Sequence, residues 1–275
     1  MGTGSDSLPV KISINGVETY LADSMQFFLE FACRMNNNGN YYIASSFRGE
    51  LADERHLCQF YHSEAEILGS LKDVISLVEE YLKFLISNYL QDNLTDIIKI
   101  TGSDSHIIQM LNMIESGLPY CTFSEATSIL QYDLDSFVYK NGVRVITSIG
   151  EKKLIKHFGG ALWLLYPEHL SVPFYQAYNK KNPNLAECAD LLFGIGEIAG
   201  VGERHYSNSN VIESLRLHSV NINEYEWYVD MKSLIPLQTS GFGMGVERFL
   251  LWLIQHNDIR DMQLYPRFNG QHTIF

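Results

Sequence analysis

The feature that most restricts the fold lies near the C-terminus, where three glycines alternate with other residues in segment 240–248, SGFGMGVER. Successive side chains of a strand point to opposite faces, so glycines at alternate positions leave one face bare and open to close approach. Glu247 and Arg248 then open an apolar run with helical spacing. The pattern predicts a strand that passes directly into a helix, with Arg248 at the junction. The glycines alone favour a simpler interpretation, a kinked strand packed against that helix.

The composition indicates a folded protein without a membrane segment. The chain has 275 residues, of which 46% are hydrophobic, enough for the core of one large domain or two small ones. Residues 1–9 are polar and no run of about eighteen apolar residues occurs, so neither a signal peptide nor a membrane-spanning helix is predicted. We therefore expect a cytoplasmic protein. Its four cysteines have no CxxC spacing, which indicates reduced thiols rather than a zinc site.

The charge balance argues against a nucleic-acid partner. The sequence contains 20 Lys and Arg against 32 Asp and Glu, a formal net charge of −12. A protein that binds nucleic acid tightly needs basic surface to displace counterions, and this chain has no basic run. Only a local basic patch would be compatible with such a partner.

Helix and strand patterns alternate irregularly along the chain. Strands are predicted over 10–20, as a hairpin that turns at Asn15-Gly16, and over 41–47, 161–165, 174–178 and 226–231. Helices are predicted over 25–35, 66–90, 107–114 and 210–218, with a short one from Ser124. Because no regular strand-helix-strand rhythm occurs, the pattern favours an α+β domain built on a largely antiparallel sheet. We expect a single domain over 10–275 after a flexible leader over 1–9.

Basic side chains follow one of the predicted strands. Arg48 comes at its end, Arg55-His56 after a short loop, and Phe60 beyond them. This arrangement offers a guanidinium for one phosphate, positive charge for terminal phosphates and a ring face for a base, as a nucleoside triphosphate requires. The arginines could instead pair with acidic neighbours such as Glu50 in a solvated turn, and this segment alone does not decide between the two interpretations.

Two carboxylates, Asp190 and Glu197, lie in an otherwise apolar segment that is punctuated by glycines. Burying carboxylates is costly unless a cation pairs with them, and Mg²⁺ that also binds substrate phosphates is a suitable cation. Burial against an arginine is the alternative interpretation. Arg204 is a candidate for that arginine.

Taken together, these segments resemble the class II aminoacyl-tRNA synthetases. Segment 48–60, RGELADERHLCQF, resembles their motif 2, and segment 241–248, GFGMGVER, resembles their motif 3. Segment 257–267, NDIRDMQLYPR, fits the aspartyl/asparaginyl subgroup. Within that subgroup, segment 24–30, SMQFFLE, and Glu64 favour the asparaginyl form. The resemblance implies that the α+β domain is a class II synthetase catalytic domain.

The resemblance also implies a role for each cluster of residues. ATP would be bound by Arg48, Glu50, Arg55, His56, Phe60, Gly243, Gly245 and Arg248. Arg48 and Arg248 would be catalytic, because Arg48 binds the α-phosphate and Arg248 stacks on adenine opposite Phe60. Asp190 and Glu197 would hold Mg²⁺. The amino-acid pocket would be lined by Ser24, Gln26, Glu30, Glu64 and Arg204. Arg204 would read the side-chain oxygen of the substrate.

Several features depart from the family pattern. The family's anticodon-binding domain and its motif 1 helix and strand would precede the hairpin over 10–20, and the sequence has no such segment. Val201 replaces a glycine before Arg204, and Thr239 replaces a histidine before the motif 3 glycines. We therefore expect the ATP chemistry to be kept and tRNA not to be a partner. A homodimer stays open, but it would lack the motif 1 interface.

These features lead to one main functional hypothesis and two alternatives. The main hypothesis is an ATP-dependent ligase that activates aspartate, asparagine or an analogue as an adenylate and transfers it to ammonia, an amine or another non-tRNA acceptor. The first alternative is a truncated asparaginyl- or aspartyl-tRNA ligase. The second is a non-catalytic regulatory paralogue, against which the three arginines Arg48, Arg55 and Arg248 argue.

Overall fold

The computed structural model describes residues 7–140 and 142–270. The strands are β1 (Lys11–Ile14), β2 (Val17–Tyr20), β3 (Asn40–Phe47), β4 (Gln59–Leu68), β5 (Tyr120–Thr122), β6 (Phe137–Lys140), β7 (Val143–Ile146), β8 (Ala161–Leu165), β9 (Cys188–Phe193), β10 (Gly196–Glu203) and β11 (Thr239–Gly245). The helices are α1 (Gln26–Cys33), α2 (Leu71–Thr101), α3 (Ser105–Ser116), α4 (Phe123–Ile129), α5 (Ser148–His157), α6 (Asn208–Leu217), α7 (Glu226–Leu234) and α8 (Val246–Leu253).

A seven-stranded sheet in the order β3-β4-β11-β10-β9-β8-β5 forms the centre of the fold. All neighbouring strands are antiparallel except β5 and β8, which are parallel. This confirms the predicted α+β class with a largely antiparallel sheet. Because successive side chains alternate between the faces, each central strand contributes both to the core and to the opposite face.

One face of the sheet is covered by the 31-residue helix α2. Phe242 and Met244 of β11 and Val201 of β10 belong to the same hydrophobic core as Val78 and Leu82 of α2. Every second residue of β11 thus packs against the helix, and the glycines between them face the other way. Neither α2 nor any other described helix is both long enough and apolar enough to cross a membrane.

The ends of α2 differ from the helix predicted over 66–90. Residues 66–68 belong to β4, and the helix starts after Ser70, whose side chain forms a capping box with Asp73. The helix continues to Thr101 and ends at Gly102, which has φ 78°. The apolar repeat therefore predicted the buried face of α2 correctly but not its length.

Two predicted strands are wrong. Residues 226–231 lie in helix α7. Tyr228 and Met231 are about one helical turn apart, so the helix places both in the same core cluster. Residues 174–178 make only isolated bridges to neighbouring segments, one of them to Arg204. They are an irregular connection, which begins with a turn at residues 174–175, rather than a strand of the sheet.

The predicted hairpin and the predicted strand-to-helix junction are both confirmed. Strands β1 and β2 pair, and Asn15 and Gly16 have φ values of 52° and 81°, the left-handed values that a two-residue turn favours. At the other end of the chain, β11 ends at Gly245 and α8 begins at the next residue. Residues 1–6 of the predicted leader lie outside the described residues.

Three histidines pack together beside the connection over 174–178. The ring centroid of His169 lies 5.7 Å from that of His205 and 5.1 Å from that of His218. Burial, followed by repulsion from a protonated His169, lowers the pKa of His205 to about 3 and the pKa of His218 to about 4. These two histidines are therefore neutral at pH 7.

The histidine cluster predicts a loss of stability in mild acid. Below about pH 6.5 the unfolded chain binds protons that the folded cluster does not accept until about pH 3 to 4, so protonation favours unfolding. Replacing His205 with phenylalanine removes one such group. Between about pH 7.5 and pH 5, His205→Phe should lose about 2 kcal/mol less stability than the wild type. Urea unfolding at each pH measures this, and parallel pH profiles would contradict it.

Candidate active site

Two adjoining cavities open on the sheet face opposite α2. The first, of about 260 Å³, is bounded by β10 and residues 171–176 and is called the polar cavity. The second, of about 310 Å³, is bounded by residues 48–60 and the start of α8 and is called the arginine cavity. Both linings include Arg48, His62, Glu197 and Gly243. The two cavities therefore meet at these residues.

The residues predicted to bind ATP all line the arginine cavity: Arg48, Glu50, Arg55, His56, Phe60, Gly243, Gly245 and Arg248. Arg48 Cζ lies 5.4 Å from the centroid of the Phe60 ring, within cation–π distance. Arg248 donates from Nη1 to the carbonyl of Glu197 at 2.6 Å. Among the described residues, the buried Nε atoms of Arg48 and Arg55 have no acceptor. Guanidinium groups with unused donors suit a polyanion such as a triphosphate.

Glu151, which lies in the first turn of α5, was not predicted as a site residue. Arg55 donates from Nη2 to Glu151 Oε2 at 2.8 Å, and both side chains are largely buried. The pair lies directly over Gly196, where a Cβ atom would collide with both groups. Burial raises the pKa of Glu151, although Arg55 opposes that rise. Local spacing could not predict this pair, because its members are 96 positions apart.

Asp190 and Glu197 face the same space over Gly200. Asp190 on β9 pairs with Gly200 on β10, and a bulge between Glu197 and Ala199 turns Glu197 onto the face that Asp190 occupies. A Cβ atom at position 200 would lie 3.1 Å from Glu197 Oε1 and 3.5 Å from Asp190 Oδ1. Burial and the nearby Glu197 raise the pKa of Asp190 well above its usual range.

This carboxylate pair is compatible with a divalent cation. Two carboxylates suffice for Mg²⁺ when phosphate oxygens and water complete its octahedral shell. Over residues 7–140 and 142–270, no set of three or more His, Cys, Asp or Glu side chains is arranged to hold a metal without such help. Arg204 is not the arginine beside this pair, because it pairs with Glu66 at 3.0 Å. Arg248 is, since its Nη1 lies 3.7 Å from Glu197 Oε2.

Four of the residues predicted to hold the amino acid line the polar cavity: Ser24, Gln26, Glu64 and Arg204. Glu64 accepts hydrogen bonds from Ser24 Oγ at 2.9 Å and from the backbone amide of Met25 at 3.1 Å. Burial nevertheless raises the pKa of Glu64. A ligand ammonium group would favour its ionised form, because an opposite charge lowers the pKa of a buried carboxyl.

Glu30, the fifth of these residues, does not line the cavity. It lies one helical turn after Gln26 on α1, and only 1% of its surface is exposed. Glu30 pairs with Lys232 and, at 3.2 Å, with Arg34, and it accepts a hydrogen bond from Tyr228 at 2.6 Å. The helical turn thus directs Glu30 into a group of buried charges behind the cavity rather than into its lining.

Arg204 is bound by both oxygens of Glu66 and also lines the polar cavity. Its Nε donates to Glu66 Oε1 at 3.1 Å and its Nη2 donates to Glu66 Oε2 at 3.0 Å. The Glu66 carboxylate lies over Gly241, where a Cβ atom would collide with it. The three alternating glycines therefore differ in their surroundings. Gly241 makes room for buried side chains, whereas Gly243 and Gly245 border the cavities.

His62 is a second unpredicted residue, and it lies where the two cavities meet. Its Nδ1 is 2.9 Å from Ser46 Oγ and 3.3 Å from Glu64 Oε1. Burial, together with Arg48 and Arg248, lowers its pKa to about 3, so the imidazole is neutral at pH 7. A single histidine within a strand carries no sequence signal for such a position.

Comparison with known proteins identifies the family that has this arrangement. Residues 1–269 match the family model described as class II tRNA synthetases (D, K and N). The chain belongs to this family. The family resemblance predicted from segments 48–60 and 241–248 is therefore confirmed.

Curated relatives in this family include asparagine–tRNA ligases. The chain is 29% identical over 269 residues to the probable cytoplasmic asparagine–tRNA ligase of Encephalitozoon cuniculi, covering 94% of this chain and 58% of that protein. It is 28% identical over 258 residues to the asparagine–tRNA ligase of Pyrococcus abyssi, covering 90% of this chain and 56% of that protein. The chain thus spans a little over half the length of these relatives.

Solved structures from the family share the fold. Asparaginyl-tRNA synthetase from Pyrococcus horikoshii, complexed with asparaginyl-adenylate, superposes with a TM-score of 0.90 at 23% identity, covering 100% of this chain and 62% of that one. The Entamoeba histolytica asparaginyl-tRNA synthetase complex with asparaginyl-adenylate gives 0.84 at 23% identity, covering 97% and 61%. These matches confirm the predicted class II synthetase fold.

Alanine at two of the alternating glycines should have different effects on stability. A Cβ atom at Gly241 meets the Ala65 carbonyl at 2.5 Å as well as the buried Glu66, so the backbone must move. A Cβ atom at Gly245 meets only the flexible side chain of Arg248, at 3.5 Å. Gly241→Ala should lower the free energy of unfolding by about 2 kcal/mol or more, and the control Gly245→Ala by less than about 1 kcal/mol. Urea unfolding of both variants tests this, and equal losses would contradict it.

Proposed function

We propose that this chain is the catalytic core of an ATP-dependent ligase that activates asparagine, or a close analogue such as aspartate, as an aminoacyl-adenylate. The observation that carries the proposal is the junction of the two cavities at Arg48. A cavity with carboxylates for an amino acid and a cavity with arginines for a triphosphate share one guanidinium, as the joining of the two ligands requires. The asparaginyl-adenylate in two structural neighbours supports this choice of product.

The amino acid would bind in the polar cavity. Its ammonium group would pair with Glu64, and Ser24, which donates to Glu64 at 2.9 Å, would orient that carboxylate. Its own carboxylate would then point towards Arg48 at the junction. His62 is neutral there, so it offers a hydrogen-bonding group without adding charge.

ATP would bind in the arginine cavity. Phe60 and Arg248 would hold adenine between a ring face and a guanidinium. Arg55 and His56 would bind the β- and γ-phosphates. For this purpose Arg48 would leave the Phe60 ring and turn to the α-phosphate, where its unused Nε donor would find an acceptor.

The reaction joins the two ligands at the α-phosphorus. A carboxylate oxygen of the amino acid forms a bond to this phosphorus while the bond from the phosphorus to the oxygen of the β-phosphate breaks, and pyrophosphate leaves with that electron pair. Arg48 would neutralise the charge that develops on the α-phosphate in the transition state. No side chain needs to accept a proton, so catalysis depends on positioning and charge neutralisation.

Asp190 and Glu197 would hold Mg²⁺. The ion supplies positive charge to phosphate oxygens. Glu197 lines both cavities, which supports a location beside the reacting phosphate. The bulge on β10 would keep both carboxylates on one face for this purpose.

The acceptor that we propose is tRNA, in place of the ammonia or amine expected from the sequence. The relatives described above are asparagine–tRNA ligases, and they give no support to a non-tRNA acceptor. The net charge of −12 is unfavourable for tRNA binding by this chain alone. We therefore expect this chain to bind tRNA weakly and in a salt-sensitive manner.

Asparagine-dependent exchange of pyrophosphate into ATP tests the activation step. Arg48→Ala should lower the exchange rate by about 100-fold or more, because it removes a group that stabilises the transition state. Arg248→Ala should act mainly by raising the KM for ATP. Arg216→Ala is the matched control, since Arg216 is exposed on α6 outside both cavities. A wild-type protein that binds ATP but shows no exchange with any amino acid would exclude the proposal.

Transfer of labelled asparagine from the bound adenylate identifies the acceptor. The chain should esterify tRNA, with a rate that falls as salt rises because tRNA binding displaces counterions. Ammonia and small amines, offered in the same assay, should not compete. Formation of a labelled amide with no labelled tRNA would reverse this assignment and restore the hypothesis drawn from the sequence.

A further inference from the structure

The two side chains proposed to bind the β- and γ-phosphates each have a carboxylate partner. Arg55 Nη2 lies 2.8 Å from Glu151 Oε2, and His56 Nδ1 lies 2.9 Å from Asp53 Oδ1. A carboxylate repels phosphate and cancels much of the attraction that a neighbouring cation would exert on it. Arg55 and His56 alone therefore offer little uncompensated positive charge to the end of a triphosphate.

The other two arginines of the arginine cavity do not supply that charge. Arg248 Nη1 lies 3.7 Å from Glu197 Oε2, so it too has an acidic neighbour. Arg48 lies at the junction with the polar cavity, which places it beside the α-phosphate in the proposed complex. The β- and γ-phosphates carry most of the charge of ATP, and binding them requires a further cation.

Lys140 is such a cation in the lining of the arginine cavity. It is the last residue of β6, and it is exposed. Whereas Arg55, His56 and Arg248 have acidic neighbours, Lys140 forms no ion pair with any residue in the described part of the chain. It therefore brings an uncompensated positive charge to the cavity.

The hairpin of β6 and β7 holds Lys140 in this position. At the base of the hairpin, the backbone amide of Thr147 donates to the carbonyl of Ser136 at 2.9 Å. Phe137 and Ile146, which pair across the two strands, pack in the hydrophobic cluster that also contains residues of α5. The base is thus fixed to the core, and Lys140 lies at the opposite end of β6.

The same segment also supplies the carboxylate that compensates Arg55. Helix α5 follows β7 closely, and Glu151 lies in its first turn. Arg55 and Lys140 both line the arginine cavity and neither lines the polar cavity, whereas Arg48 lines both. Arg55 and Lys140 therefore lie away from the junction, where the terminal phosphates would extend from an α-phosphate held at Arg48.

We propose that Lys140 binds the terminal phosphates of ATP and provides the positive charge that Glu151 and Asp53 cancel on Arg55 and His56. A lysine has three donors on a flexible stem, which suits contact with several phosphate oxygens. The same contact would hold pyrophosphate before its release. The inference rests on the proposed activation of an amino acid by ATP and adds a nucleotide-binding residue that no motif of the sequence indicated.

Titration of ATP and of AMP into the full chain tests this role without requiring turnover. AMP has no β- or γ-phosphate, so a group that contacts only these phosphates affects the affinity for ATP alone. Lys140→Met keeps the stem and removes the charge. It should weaken ATP binding by about fivefold or more and leave the affinity for AMP unchanged. Isothermal titration calorimetry with Mg²⁺ present measures both affinities.

Two further variants separate this contact from general effects of charge and folding. Lys152→Met removes an exposed lysine of α5 that lines neither cavity, and it should leave both affinities unchanged. Lys140→Arg keeps the charge and should keep most of the ATP affinity. If Lys140→Met weakens ATP and AMP equally, or alters neither affinity, the role of Lys140 is overturned. A wild type that binds neither nucleotide would instead overturn the proposed activation.

Discussion

The two-residue alternation of side chains along β11 is the constraint on which the rest of the structure depends. This strand lies between β4 and β10, and its non-glycine residues Phe242 and Met244 enter the core under α2. The glycines between them therefore must face the opposite side of the sheet. Because β4 and β10 are paired to β11 in fixed register, their own outward residues, such as Glu64 and Gly200, are brought to the same side. A shift of the pairing register by one residue would turn the core side chains to the site face and the site residues into the core.

Buried charges behind the site are tolerated because each is paired. Arg204 is bound by both oxygens of Glu66, and burial alone would raise the pKa of Glu30, but Lys232 and Arg34 keep it below its usual value. Removing one member of such a pair would leave an uncompensated charge, which costs more than the pair contributes. The pairing also fixes the position of Arg204 in the lining of the polar cavity.

Much of the fold and of the candidate site could be predicted where the sequence pattern is local. The Asn15-Gly16 turn, the junction at Gly245, and the arginine and glycine residues of segments 48–60 and 241–248 all follow from short spacings, and the structure brings these segments together around the arginine cavity. Prediction failed where a residue's neighbour is distant in sequence. Arg55 and Glu151 are 96 positions apart, and Arg204 and Glu66 are 138 apart. The strand predicted over 226–231 is wrong for a similar reason, because its apolar residues join a core cluster formed with segments that are distant in sequence.

The sequence by itself determined the family, the α+β class and the arginine and glycine residues of the arginine cavity, because these depend on local patterns of glycine, arginine and apolar residues. Only the tertiary structure decided which of the predicted residues line a cavity and which pair with other buried charges. Glu30 and Gln26 are one helical turn apart on α1, yet only Gln26 reaches the polar cavity. Glu197 faces Asp190 because a bulge shifts the register of β10. This outcome depends on the register in which strands pair and on which buried charges come together. Both arise only when segments that are distant in sequence are in contact, so no single segment determines them.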